Sequence, residues 1–86
     1  MHTDLIRQLT STRKAQKRTQ AELAESAGLS RMTVQRMESG GLDPRLSSLH
    51  ELARVMGLEL VAVPTALRAS VQALIDAAAP PPPDQG

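Results

Sequence analysis

Between Thr19 and Glu38 the chain starts a helix, stops it and starts another, and this punctuation constrains the fold more than any other feature. Thr19-Gln20-Ala21-Glu22 has the form of a capping box. The threonine oxygen accepts from the N–H of Glu22, and the glutamate accepts from the N–H of Thr19. Leu23, Ala24 and Ala27 follow as an apolar side, and Gly28 ends the helix where a left-handed residue is usual. Two residues on, Ser30 caps a further helix over about 31–38, with Val34 and Met37 inward, until Gly40 and Gly41 stop it. So short a turn forces the two helices to cross steeply and pack closely. Close packing asks for a small residue where the axes approach, met by Ala24, and for a residue tolerant of positive φ at the turn, met by Gly28. Val34 plugs the gap between the helices, and Leu23, Leu29 and Met37 complete the small core.

The flanking sequence reads as more short helices. Thr3 is placed to cap a first one running to about Lys17, with Leu5, Ile6, Leu9 and Ala15 inside and basic residues outside. After the loop Gly41-Leu42-Asp43-Pro44, Ser47 caps a fourth helix carrying Leu49, Leu52, Ala53, Val55 and Met56, which Gly57 closes. Leu58-Glu59-Leu60-Val61-Ala62-Val63 is β-prone and ends at Pro64. Thr65 then caps a last helix, on which Leu67, Val71, Leu74, Ile75 and Ala78 make a stripe at helical spacing. Pro80 to Pro83 and the residues after them have nothing to bury and read as a polyproline-type tail. The chain divides into a helical unit over 1–57, a strand and helix over 58–78, and a disordered tail over 79–86. We find no internal repeat.

Composition narrows function by exclusion. The chain has no Phe, Tyr or Trp, so it cannot build the stacking platforms that bind single-stranded nucleic acid, nor an aromatic cage for a methylated cation. It has no Cys, which removes disulfides, thiolate metal sites and thiol nucleophiles, and makes cytoplasm the expected location. No apolar run approaches the ~20 residues of a membrane span, and Met-His-Thr-Asp is not the start of a secretory signal. No membrane association is expected. His2 and His50 lie far apart without a carboxylate cluster to complete a metal site, Ser47 and His50 on one helix build no triad, and no Gly-rich phosphate loop occurs. The expectation is therefore no enzyme, no metal and no cofactor. Charge is more informative: eight Lys and Arg against five Asp and Glu up to residue 45, then two against four, give +3 and −2. Either the first half meets a polyanion, or this is the solvated face that any small helical domain needs.

Thr-Gln-Ala-Glu-Leu-Ala, Ala-Gly-Leu-Ser, Val-Gln-Arg-Met-Glu and Asp-Pro appear in order from Thr19 to Pro44. With Ala24, Gly28 and Val34 spaced from Gln20, this segment resembles the helix-turn-helix of phage Cro and repressor proteins, the XRE-like class. The resemblance implies an all-α domain of five helices, with residues 31–38 as the recognition helix in the major groove of double-stranded DNA. It also implies base readout by Ser30, Arg31, Met32, Thr33, Gln35 and Arg36. Arg31 and Arg36 suit guanine, Gln35 suits adenine, and Met32 or the Thr33 methyl suits a thymine methyl. Gln20 stands where the family meets a phosphate with the start of its second helix, and Lys17, Arg18 and Arg45 are further phosphate contacts. Gly41 stands where the family often has a lysine, which removes one such contact. Arg13 and Glu38 match a buried ion pair that ties the first helix to the end of the third; it positions more than it stabilises. The plain alternative for Arg31 and Arg36 is a solvated face, and for Met32 it is packing.

A single strand leaves its backbone groups unpaired, and the chain offers no second β-prone run. The expected partner is another copy. Leu58, Leu60, Val61 and Val63 would then pair across a two-fold axis as an antiparallel ribbon in a homodimer, with a helical or irregular run as the alternative. A Cro-type domain followed directly by such a segment looks like the HipB-type antitoxin, whose partner is a kinase toxin. The resemblance thus implies a transcriptional repressor acting at an inverted-repeat operator, either an autoregulating antitoxin or a stand-alone phage-type repressor. The alternative from another class is an adaptor that uses the same domain for protein contacts alone.

Overall fold

The computed structural model describes residues 2–78. These form α1 (His2–Ala15), α2 (Gln20–Ala27), α3 (Arg31–Ser39), α4 (Leu46–Val55), a 3-10 turn at Thr65–Leu67 and α5 (Arg68–Ala78), with no strand among them.

The first four helices end alike. In each, a residue one or two positions past the helix donates its N–H three residues back, and the next residue donates five back. These pairs are Lys17 to Lys14 and Arg18 to Arg13, Gly28 to Glu25 and Leu29 to Ala24, Gly40 to Met37 and Gly41 to Arg36, and Gly57 to Arg54 and Leu58 to Ala53. This double closure satisfies carbonyls that a helix end would leave orphaned, and it requires a left-handed residue at its first position. Gly28, Gly40 and Gly57 supply it at φ 73°, 83° and 80°. A Cβ at any of the three would meet nothing within 4 Å, so backbone conformation and not crowding calls for glycine. Lys17 fills the same role at φ 56° and is the one non-glycine residue at positive φ among those described.

The tight ends fold four helices around a core without a ring. Ile6 and Leu9 of α1, Leu23, Ala24 and Ala27 of α2, Val34 and Met37 of α3, Leu49, Leu52 and Ala53 of α4, and Met56 are buried together. Val34 and Leu52 lose all contact with solvent. α2 packs on α3 and α4, and α1 packs on α3. No helix among the described residues is long and apolar enough to cross a membrane.

Several expected boundaries shift. α1 begins at His2, which puts Thr3 inside the first turn, and it ends at Ala15 because Lys17 takes the left-handed turn. α4 begins at Leu46 with Arg45 as its cap residue and no side-chain cap bond; Ser47 lies within the first turn. Pro44 disfavours helix at Asp43, the residue before it. Arg45 is extended, its carbonyl accepts from Leu49 N–H at 3.1 Å, and a helix begun there turns Leu49 and Leu52 into the core. Thr65 does not cap α5 directly, because Pro64 precedes a 3-10 turn that leads into the helix. Residues 58–63 form neither helix nor strand within the single chain. Leu58 and Leu60 pack against the chain's own core, whereas Val61 and Val63 stay exposed. The stripe on α5 contributes no buried residue. The expected polyproline tail falls outside the described residues.

Candidate nucleic-acid interface

The capping box forms as its residues dictate: Glu22 N–H donates to Thr19 Oγ1 at 3.0 Å, and Thr19 N–H donates to Glu22 Oε1 at 2.8 Å. α3 starts on Ser30, whose Oγ accepts from Thr33 N–H at 3.0 Å and lies 2.8 Å from Thr33 Oγ1. The two hydroxyls therefore hold each other at the mouth of the helix. At about 100° per residue, Val34 and Met37 face inward while Arg31, Met32, Gln35 and Arg36 sweep one continuous outward face. All four are exposed, Met32 at 51%. Among the described residues, the side chains of Arg31, Gln35 and Arg36 make no hydrogen bond or ion pair within the chain. Their donors are left for something outside it.

Beneath this face lies a polar joint. Arg13, 9% exposed, donates from Nε to Glu38 Oε2 at 2.7 Å, from Nη2 to Glu38 Oε1 at 3.0 Å, and from Nη1 to the Arg18 carbonyl at 2.8 Å. Gln20 Nε2 donates to the same Glu38 Oε1 at 2.9 Å. One carboxylate thus ties α1, the start of α2 and the end of α3. No buried side-chain polar atom among the described residues lacks a partner, so the joint satisfies the condition under which buried charge is tolerated. It fixes the α3 face relative to the N-terminus of α2, where helix geometry leaves backbone N–H groups unpaired.

The expected phosphate residues differ in where they lie. Arg45 is exposed at the start of α4, and Lys17 is exposed at the α1–α2 corner. Arg18 turns inward: Nε donates to Gln16 Oε1 at 2.8 Å and Nη2 to the Val55 carbonyl at 3.4 Å, while Gln16 Nε2 donates to the Met56 carbonyl at 2.9 Å. Gln16 and Arg18 together close the C-terminal end of α4, a cation at the negative end of a helix. The amide of Gln20 likewise gives one of its two N–H donors to Glu38. The Gln16–Arg18 seam escapes a reading of the sequence, because its partners are 37 and 40 residues away and nothing in local spacing announces them.

Two helices locked across a turn, with an unsatisfied polar face on the second, define a helix-turn-helix domain, and comparison with known proteins agrees. The chain belongs to the helix-turn-helix family of XRE type, whose family profile matches residues 9–63. A protein of Sinorhizobium fredii (strain NBRC 101917 / NGR234), named "Uncharacterized HTH-type transcriptional regulator y4dL", is 35% identical over 74 residues, which is 86% of this chain. The chain spans 38% of that relative's length. No solved structure matches the chain.

Proposed function

We propose that this chain binds double-stranded DNA and regulates transcription as a sequence-specific repressor, two copies acting together on an inverted repeat. The observation that carries the reading is the outward face of α3. It presents two guanidinium groups, one amide and the Met32 side chain, none of them used by the chain itself. That set matches the donors, acceptors and methyl groups of base edges in a major groove. Lys17, Arg45 and the N-terminus of α2 are the proposed phosphate contacts, with Gln20 and Arg18, each partly engaged within the chain, adding the N–H groups they have left. Family membership and the regulator name of the relative support the same reading. A single helix-turn-helix touches too few bases to find one site among a genome's competitors, hence the second copy, joined through 58–63 with Val61 and Val63 as the open side chains. A narrower form of the reading is an autoregulating antitoxin with a kinase-type toxin as partner, checked by co-purification with the product of a neighbouring kinase gene.

Replacing Arg31 or Arg36 by Ala tests the readout. The expected cost is about 1–3 kcal/mol with relaxed preference at one base position. Equal loss on every duplex makes that arginine a phosphate contact. Absence of salt-dependent duplex binding by the unaltered protein favours the adaptor instead.

A further inference from the structure

Sulfur is scarce in this chain and unevenly placed. There are four methionines and no cysteine, and no Trp or Tyr that an oxidant could attack instead. Met1 lies outside the described residues. Met37 and Met56 are sealed in the core at 2% and 4% exposure, whereas Met32 is 51% exposed on α3. Oxidation of a side-chain sulfur follows its access to the oxidant. Among the described residues, one sulfur is therefore open to a dissolved oxidant and two are shielded from it.

The open sulfur stands among the groups proposed to read DNA. Met32 is three residues before Gln35 and four before Arg36, and residues at those spacings are neighbours on a helix surface. As a thioether it is apolar and accepts hydrogen bonds only weakly, which suits a thymine methyl. We infer that Met32 is a site of oxidation by peroxides, and that its sulfoxide releases the chain from duplex DNA. The step is a two-electron oxygen transfer. A sulfur lone pair attacks one peroxide oxygen, an S–O bond forms as the O–O bond breaks, and the departing hydroxide takes the proton of the transferred oxygen and leaves as water. Sulfur is oxidised and peroxide is reduced. The product is a polar side chain, and its oxygen opposes binding in two ways. Against a thymine methyl it gives up water without gaining a partner. It also sits beside Gln35 and Arg36, whose side-chain N–H groups make no bond within the described residues, so donors drawn onto the sulfoxide are withdrawn from base edges. Sulfoxide reductases reverse the change. The inference rests on the DNA reading above.

Full-length protein treated with dilute hydrogen peroxide and mapped by peptide mass spectrometry should carry sulfoxide at Met32 roughly tenfold sooner than at Met37 or Met56. The probe for binding is the duplex that the reduced protein enriches from a random pool. Oxidised protein should hold this duplex about tenfold more weakly, the scale of one good base contact, with its helical circular dichroism kept. Methionine sulfoxide reductase with a thiol should restore the affinity, and excess duplex should slow the oxidation of Met32 by covering it. In Met32→Leu protein, peroxide should leave the affinity where the substitution set it. Oxidation of Met37 or Met56 as fast as Met32 overturns the proposal, as does a peroxide-dependent loss of affinity that persists in Met32→Leu protein. Oxidised protein that binds as tightly as reduced protein sinks the release and leaves the DNA reading intact. Sulfoxide at Met32 and not at Met37 or Met56, in a protein that holds no duplex, supports the modification site and sinks the DNA reading.

Discussion

Lys17→Gly separates stability from DNA binding in one substitution. Lys17 stands at φ 56° in the position that glycine fills at the ends of α2, α3 and α4. A left-handed conformation costs an L residue roughly 1–2 kcal/mol, and glycine removes most of that cost while adding about 0.5–1 kcal/mol of chain entropy to the unfolded state. The difference is a folded domain between ~0 and 1.5 kcal/mol more stable, or a Tm raised by up to about 10 °C for a domain this small. If the lysine is kept at a strained position for its charge, the same change weakens duplex binding. Each lost phosphate contact lowers the slope of log affinity against log salt by about 0.9. The chain has no aromatic residue, so unfolding is followed by far-UV circular dichroism in urea, and binding by titration of labelled duplex at several salt concentrations. A loss of more than about 1 kcal/mol on substitution would show that the side chain supports the fold beyond its backbone strain. A more stable variant with an unchanged salt slope would remove Lys17 from the interface.

Two further outcomes follow from the ion pairs. Arg13→Met or Glu38→Leu alone leaves a buried charge without its partner and should cost about 3–5 kcal/mol in urea unfolding, whereas the double substitution should recover most of it; additive losses would mean that the pair does not act as a unit. On the surface of α4, the hydrogen bond from Arg54 and then its charge hold the Glu51 carboxyl below the usual carboxylate range and raise the Arg54 guanidinium. A lowered carboxyl contributes stability above its unfolded value and loses it as pH falls through the folded one. Glu51→Gln should therefore differ from the parent in Tm by a small amount at neutral pH and converge with it in acid, and a gap that widens in acid would contradict this.

The α2–α3 unit is legible in the sequence because local rules define it: a capping box, a glycine at each left-handed end, and Val34 and Met37 at helical spacing. Where local rules compete, the sequence misleads. Ser47 is a better cap residue than Arg45, yet the burial of Leu49 and Leu52 decides where α4 begins. The end of α1 is hidden because Lys17 does a glycine's work. The β-prone run over 58–63 suggests a strand, but Leu58 and Leu60 are drawn onto the core of their own chain, and the backbone groups of a lone segment find no ladder within it. The outward cations of α3 are visible from periodicity alone. The inward turn of Arg18 is not, because α4 carbonyls that meet it come from the far end of the domain.

Selecting duplexes from a random pool with the unaltered protein, at one fixed salt concentration, puts the DNA reading at risk in a single measurement. The predicted result is an enriched inverted repeat whose half-sites lie about one helical turn, ~34 Å, apart, with affinity that falls steeply when the salt is raised. A pool that emerges without a shared sequence, from a protein that holds no duplex more tightly at low salt than at high, would contradict it.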